Sequence, residues 1–584
     1  MSDDKQLIPK ESTDLALHKT ESLLGITDKI LANKTLAVND DAWVYELIAW
    51  AKTHRIFENK LSLNKHSLLA LTHLNLSNNR LTEIPDFIGK LTNLTHLNLS
   101  NNQLTKLPES IGNLTKLTDL FLQSNKLIEL PESMGKLTNL TYSLWLNNNQ
   151  LTKLPESIGN LTKLTGLTLS GNQLIELPES IGKLTNLTSL SLDANQLTKL
   201  PESIGNLTKL TSLGLSGNQL TELPESIGNL TKLTDLSLHF NILIELPEFI
   251  GNLINLTELS LGAGSPGPMT KSPKSIGNLT KLRELSLEYN QLIELPESIG
   301  KLIKLDVLRL DNNQLIKLPE SIGNLNKLTH LSLDDNQLIG LSESIGNLTK
   351  LEVLRLNHNQ LINLPESIGK LNKLIKLSLG YNQLIKLPES IGNLTNLEML
   401  RLDHNQIIKL SESIGNLIKL THLSLRYNQL IELSESIGQL TNLVGLSLNQ
   451  NQLIKLPESF GNLTKLTDLH LGFNQLIELP ETISKLTNLE DFQMDHNQLM
   501  KLPESVGNLI KLRSLGLHYS GLTKIPEWVG SLSKLMFLNL RNNQLTELPE
   551  LLGKLPKLTE LNLISNPVKS LPRELSHLSK IAKF

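Results

Sequence analysis

The chain has 584 residues, a formal net charge of −3, 3% aromatic residues and no cysteine. The balanced charge gives no electrostatic footprint for nucleic acid or an anionic membrane, and the lack of cysteine excludes disulfides, thiolate zinc sites and cysteine nucleophiles. Globular cores need rings of several shapes, so this composition favours stacked repeats over the several domains that the length alone suggests.

The N-terminal region is predicted to be helical. Residues 1–38 carry leucines at regular intervals, which predicts a helix that is either part of a cap or a docking or dimerising element. Residues 39–70 include "DDAWVYELIAWAKTH", an amphipathic helix with Asp40 or Asp41 as its cap. We expect this helix to cover the first repeat. Because we find no signal peptide and no membrane-spanning apolar run, we expect a cytoplasmic protein.

Residues 71–580 repeat one pattern, seen clearly in "LTHLNLSNNQLTKLPESIGNLTK" from Leu94. We count 22 copies, nearly all of 23 residues. The alternation at the start of each copy predicts a short strand with Leu97 and Leu99 facing inward. Strands of successive copies then lie about 4.8 Å apart and form a long parallel sheet.

The remaining positions predict how the chain leaves the sheet and returns to it. The ninth residue, Asn102 in this copy, can bond backbone groups that the turn leaves unpaired, so successive asparagines form a ladder. In "LPESIG", Pro starts a short helical turn, Glu favours its positive end and Gly stops it. Because these turns are wider than strands, their stacking curves the array into a horseshoe with the sheet on the concave side.

The pattern resembles the leucine-rich repeat, and its L-P-x-x-I-G-x-L segment is similar to the intracellular class found in bacterial repeat proteins and Ras-suppressor-like scaffolds. The resemblance implies an α/β repeat solenoid: a curved leucine-rich-repeat horseshoe with a concave parallel β-sheet, convex short helical turns and an N-terminal helical cap. It also implies that the concave face binds another protein, in some family members a small GTPase.

One repeat, at residues 256–281, departs from the pattern through "GAGSPGPMTKSP". It is three residues too long, has Gly264 where the ladder needs Asn, and places Pro266 at a leucine position. These residues predict a protruding loop and a gap in the ladder. We interpret the loop as a tolerated insertion, because long loops cost little free energy, with a hinge or a direct contact as the alternative.

Partner specificity must come from the outward positions, since the Leu and Asn positions maintain the fold. In the first seven copies the outward residues are mostly small and polar, which makes poor binding hot spots. After the irregular repeat, aromatic residues or His precede the ladder position, and Arg alternates with Ser. These residue types are enriched at interfaces. The predicted partner-binding residues are Tyr289, Arg309, Arg355, His358, Tyr381, Arg401, His404, Tyr427, Phe473, His496 and Tyr519.

Two further features of the sequence concern the arginines. The arginines recur every 46 residues, and duplication in two-repeat units alone also explains that spacing. We also expect neighbouring carboxylates to pair with the arginines, which would cancel their net attraction for a charged partner. The carboxylates expected to do so are Asp306, Asp311, Glu352, Glu398 and Asp403.

No motif indicates catalysis, a cofactor or a metal. The "GKL" segments lack the hydroxyl residue and the upstream Gly of a phosphate loop. His358, His404 and His496 share one repeat position, and strand spacing keeps them about 10 Å or more apart, too far for one zinc ion. Asp311 and Asp334 are spaced like a retaining glycosidase pair, but they lie on an open sheet.

We therefore predict a non-enzymatic, cytoplasmic scaffold that binds a protein partner in signalling or complex assembly. The sequence indicates no cofactor, no metal, no nucleic acid and no membrane partner. Regulation of a small GTPase, or action as a secreted effector on a host protein, are the alternatives.

Overall fold

The structure is a computed structural model that describes residues 41–56, 64–262, 267–499 and 501–584. The helix predicted within residues 1–38 therefore lies outside the described residues. So do Gly264 and Pro266 of the irregular repeat.

Two helices precede the sheet: α1 spans Ala42–Thr53 and α2 spans Lys65–Leu69. The apolar face of α1 joins the repeat core through Leu47, which is fully buried. The side-chain amide of Asn93 in the repeats donates to the carbonyl oxygen of Leu69 (2.6 Å), which ties α2 to the array. The predicted N-terminal helical cap is thus confirmed. Within the described residues, no helix has the length and apolar content needed to cross a membrane.

The cap at the start of α1 differs from the prediction in one respect. Asp41 occupies the N-cap position, but its side chain makes no capping hydrogen bond. Its carboxylate instead forms an ion pair with Lys65. Asp41 therefore links the two helices to each other.

The other described residues contain 23 short strands, each parallel to the next in chain order. The strands are β1 His73–Asn75, β2 His96–Asn98, β3 Asp119–Phe121, β4 Ser143–Trp145, β5 Gly166–Thr168, β6 Ser189–Ser191, β7 Ser212–Gly214, β8 Asp235–Ser237, β9 Glu258–Ser260, β10 Glu284–Ser286, β11 Val307–Arg309, β12 His330–Ser332, β13 Val353–Arg355, β14 Lys376–Ser378, β15 Met399–Arg401, β16 His422–Ser424, β17 Gly445–Ser447, β18 Asp468–His470, β19 Asp491–Gln493, β20 Ser514–Gly516, β21 Phe537–Asn539, β22 Glu560–Asn562 and β23 Ala582–Lys583. The result is an open, curved solenoid with one parallel sheet, as predicted.

The register of the sheet stacks equivalent leucines into one continuous core. Leu354 pairs with Leu377, and all of these central leucines are almost completely buried. The irregular repeat keeps this register, because Leu259 pairs with Leu285 even though the chain between them is longer than usual. The insertion therefore does not break the sheet.

The asparagine ladder joins each repeat to its neighbour. The side-chain amide of Asn359 donates to the carbonyl oxygens of Leu356 (3.2 Å) and Leu333 (2.9 Å). Its Oδ1 accepts the N–H of Leu338 (3.0 Å). A buried backbone group left without a partner costs about 1–3 kcal/mol, so this side chain stabilises two consecutive turns at once. The ladder prediction is confirmed.

A short 3₁₀ turn follows each of the strands β1 to β21 on the convex side, from Asp86–Lys90 to Glu550–Lys554. Glu was expected to favour the positive end of its own turn, and it does lie in the first turn. In addition, Oε2 of Glu109 accepts the N–H of Ser133 in the next repeat (3.3 Å), so this Glu connects two repeats. The prediction that Gly stops the helical turn is wrong. Gly112 has no positive φ, and a Cβ on it would lie 2.4 Å from the carbonyl oxygen of Ser133. Glycine is needed because the next repeat packs on its Cα.

The C-terminal end returns to the sheet. The last 3₁₀ helix, Arg573–Lys580, buries Leu575 and Leu578 against the final repeat. The short strand β23 follows this helix and pairs with β22. The last full strand is therefore covered by a helix and a short added strand.

Candidate protein-binding face

The predicted binding residues occupy two rows along the concave face. Arg309, Arg355 and Arg401 are the last residues of β11, β13 and β15, where side chains point away from the leucine core. The other eight predicted residues each stand directly before the ladder position, beside the end of a strand. We call this second set the ring row.

Every residue of the ring row has a left-handed backbone. Their φ angles lie between +53° and +56°. That conformation costs an ordinary L-residue about 1–2 kcal/mol, and Asn, Asp and His tolerate it better than Tyr or Phe. Asn101 and Asn148 hold the same position in the first repeats. The turn therefore imposes the conformation, and local preference does not explain why aromatic rings stand there later in the chain.

The rings of this row stack face to face in two groups. In the first group, His358, Tyr381, His404 and Tyr427 have successive ring centroids 4.1, 4.0 and 4.1 Å apart, with interplanar angles of 11°, 12° and 13°. Strand spacing sets this separation, because each ring belongs to the next repeat. Aromatic pairs of this kind each contribute about 0.5–1.5 kcal/mol beyond burial.

The second group contains Phe473, His496 and Tyr519, with centroids 3.9 and 4.3 Å apart. Gln450 occupies the intervening position and separates the two groups. Tyr289 shares the row but has no stacked neighbour among the described residues. Seven of the eight predicted ring residues are thus brought together, and the tyrosines remain 40–48% exposed.

The arginines differ from one another in their ion pairs. Arg309 pairs with Glu284 and lies 3.9 Å from Glu288, so its charge is compensated. In the described part of the chain, Arg355 and Arg401 form no ion pair and are exposed. The predicted pairing of the arginines with Asp306, Asp311, Glu352, Glu398 and Asp403 is therefore wrong.

Two of the carboxylates expected to pair with the arginines accept hydrogen bonds from the following repeat instead. Asp311 accepts the hydroxyl of Ser332 (2.5 Å) and the N–H of Asp334 (2.8 Å). Asp403 accepts the N–H of Arg426 (3.0 Å) and the hydroxyl of Ser424. These short side chains reach the neighbouring repeat's backbone more readily than a guanidinium. They join neighbouring repeats and form no ion pair with Arg355 or Arg401, although the charge of Arg355 acts on the nearby carboxylate of Asp334.

A shallow hollow of about 450 Å³ lies on the concave face beside Arg401. It was not predicted from the sequence. Its floor is low because Gly445 has no side chain and Ser424 and Ser447 have short ones. Arg401 and Arg426 line it, and neither forms an ion pair with a described residue. The sequence does indicate this hollow, through the glycine at position 445 of a strand. A search for large outward residues overlooks such a position.

The N-terminal side of the face is acidic. Burial and the nearby carboxylate of Asp311 raise the pKa of Glu288. Burial, together with the charge of Asp311, also raises the pKa of Asp334. A second hollow, of about 400 Å³, is lined by several more carboxylates. These include Asp193, Asp235, Glu258 and Glu284. The hollow beside Arg401 differs from this one, because its two arginines are balanced by two aspartates, Asp403 and Asp468.

Comparisons with known proteins agree with this geometry. A model of the leucine-rich repeat region matches residues 57–142, 142–211, 189–268, 266–359, 322–412 and 405–500. A leucine-rich repeat model matches residues 510–568. A search of curated proteins gives no significant match.

Solved structures share the fold along most of the chain. A leucine-rich repeat protein of Leptospira interrogans is 32% identical, with 78% of this chain and 98% of that one covered and a TM-score of 0.53. The plant peptide hormone receptor RGFR1, in complex with RGF2, is 31% identical over 88% and 89% of the chains, with a TM-score of 0.69. YopM of Yersinia enterocolitica is 26% identical over 87% and 97%, with a TM-score of 0.60. The chain therefore belongs to the leucine-rich repeat family.

Proposed function

We propose that the protein is a non-enzymatic scaffold that binds a protein or peptide partner along the concave face between Tyr289 and Tyr519. The observation that carries this proposal is the stacked ring row beside the unpaired arginines Arg355 and Arg401. Exposed aromatic rings supply binding energy at low entropic cost, and unpaired guanidiniums attract carboxylates. The matching partner is an extended segment with apolar and acidic side chains.

Two further observations support a protein partner. The plant receptor that resembles this chain is in complex with RGF2, so a related array holds a ligand of that kind. Four of the seven stacked residues are Tyr or Phe, which disfavour the left-handed backbone that they adopt here. Duplication of two-repeat units explains the spacing of the arginines, but it does not explain the retention of unfavourable residues in that conformation.

The test is a paired substitution, Arg355→Ala with Arg401→Ala, in a pull-down from native lysate combined with crosslinking and mass spectrometry. We expect recovery of the crosslinked partner to fall strongly. Arg309→Ala is the matched control, because Arg309 already pairs with Glu284 and Glu288. Unchanged recovery with the paired variant would remove this face as the binding site.

The finer predictions from the sequence concern partner and place. Action on a small GTPase, a role in signalling, and a cytoplasmic location stay predictions. Binding to a panel of GTPases in their GDP and GTP states tests the first of them. Dependence of that binding on the nucleotide would identify a regulatory partner, whereas equal binding or none would reject it.

A further inference from the structure

A cluster of two imidazoles and one carboxylate lies at the C-terminal end of the ring row. Asp495 and His496 follow β19, and His518 follows β20, so two consecutive repeats contribute. One nitrogen or oxygen atom from each side chain lies within 4.8 Å of the other two. We propose that Asp495, His496 and His518 bind a divalent transition-metal ion, with Zn²⁺ as the ion that suits this donor set best.

One pair of donor atoms lies at the separation that a shared ion needs, and all three donor atoms lie within 4.8 Å of one another. Donor atoms about 2.0–2.1 Å from a tetrahedral zinc ion lie roughly 3.3–3.5 Å from each other. Nε2 of His518 lies 3.5 Å from Oδ2 of Asp495. The rings of His496 and His518 meet edge to face, with centroids 5.2 Å apart and an interplanar angle of 84°. Two imidazoles bound to one tetrahedral ion have centroids about 5 Å apart.

Asp495 differs from the aspartates at the same repeat position. Asp311, Asp334 and Asp403 each accept the N–H of the following repeat, at 2.8, 2.7 and 3.0 Å. Among the described residues, the carboxylate of Asp495 accepts no such backbone N–H. Its partner there is Nε2 of His518 (3.5 Å), and its side chain is only 12% exposed. A largely buried carboxylate whose partner is one imidazole at this distance is weakly compensated, and a metal ion between the two groups would compensate its charge.

The preceding repeat provides the space that the carboxylate of Asp495 occupies. A Cβ on Gly472 would lie 2.7 Å from Oδ1 of Asp495, so the carboxylate extends over a position that only glycine leaves free. The other carboxylate oxygen faces His518. Asp495 is thus placed by Gly472 and directed toward an imidazole.

Neighbouring side chains also orient the two imidazoles. Nδ1 of His518 lies 3.3 Å from the side-chain amide of Asn539. The atom of Asn539 that faces Nδ1 is the amide nitrogen, because its Oδ1 accepts the N–H of Arg541 (3.2 Å). Binding of an ion at Nε2 therefore requires the amide of Asn539 to turn its oxygen toward an Nδ1–H donor. His496 is held between Phe473 and Tyr519. Three protein ligands leave one tetrahedral position for water or for a group of a bound partner.

The test is a titration of the full chain with Zn²⁺ by calorimetry, and with Co²⁺ by visible absorption, which reports tetrahedral coordination. We expect one ion per chain. His518→Asn or Asp495→Asn should weaken binding by at least about 100-fold, and Asn539→Ala, which removes an outer partner, by about 10–100-fold. Circular dichroism confirms that each variant is folded.

The chain provides a matched control in an earlier repeat. Asp403 and His404 occupy the same repeat positions as Asp495 and His496, but Arg426 stands where His518 stands in the later repeat. His404→Asn should leave the affinity unchanged. Absence of stoichiometric binding, or equal weakening by His404→Asn and His518→Asn, would overturn the proposal and show adsorption to scattered histidines.

Substitution of Arg541 is an independent test, because it should increase the affinity for Zn²⁺. Its positive charge opposes positive charge at His518. Arg541→Gln should therefore tighten Zn²⁺ binding if the ion sits among the three ligands. Unchanged or weaker binding in this variant would contradict that placement.

Discussion

At the scale of single residues, the concave face contains carboxylates whose burial opposes their charge. Asp334 has a raised pKa because burial and the charge of Asp311 disfavour its ionised form. The folded state therefore holds this proton more tightly than the unfolded state. Ionised Asp334 therefore lowers the free energy of unfolding. This unfavourable contribution is fully present above the raised pKa and disappears as the pH falls below the ordinary pKa of 3.8.

Asp334→Asn should accordingly raise the stability of the protein at neutral pH, and the gain should vanish in acid. The hydrogen bond to the next repeat is retained, because Asn357 already accepts the N–H of Gly380 in the same way (2.8 Å). Urea denaturation at neutral pH and near pH 3.5 measures the difference. Asp468→Asn, at an exposed position of the same sheet, is the control. A gain that persists in acid would show that charge is not its cause.

The role of a residue could be predicted where it depends only on the position of that residue in the repeat. Roles that need two different positions in adjacent repeats could not be predicted. The inward leucines and the ladder asparagines follow from the repeat pattern itself. His496 and His518 stand at different positions of adjacent repeats, so a comparison of equivalent histidines finds them far apart. The arginine pairing failed for the same reason, because Arg309 reaches Glu284 and Glu288 of the preceding repeat.

At the scale of elements, close packing of the convex turns determines where glycine is required. Gly112→Ala should destabilise the protein by about 1–3 kcal/mol, since the added methyl group overlaps the backbone of the next turn. Gly340→Ala is the matched control, because nothing lies within 4 Å of its added Cβ. Chemical denaturation of both variants decides the matter. Equal losses of stability would mean that contact with the next turn is not the reason for glycine.

The strand and turn elements were predictable, whereas their cross-links between repeats were only partly so. The period of the leucines predicts a strand, and "LPESIG" predicts a turn, because both patterns are local. The bond from Ser133 N–H to Glu109 needs the distance between two turns, which no single repeat contains. The added strand β23 follows from the exposed edge of β22, which the sequence alone does not reveal.

At the scale of the whole molecule, the fold predicts a shape unlike that of a globular chain. Each repeat contacts its neighbours through one parallel sheet, so the array grows in one direction. The 23 strands span an inner arc of about 105 Å at a spacing of about 4.8 Å. Insertion of a loop at one repeat does not change this growth, because the register across it is kept.

Small-angle X-ray scattering tests this shape directly. A compact chain of this length has a radius of gyration of about 25 Å, and an open curved array should give about 30 Å or more. The distribution of interatomic distances should be skewed, with a long tail, because the two ends of the arc are far apart. The concave face is accessible to a partner only in such an open shape. A symmetric distribution with a radius of gyration near 25 Å would exclude both the open array and the binding face that depends on it.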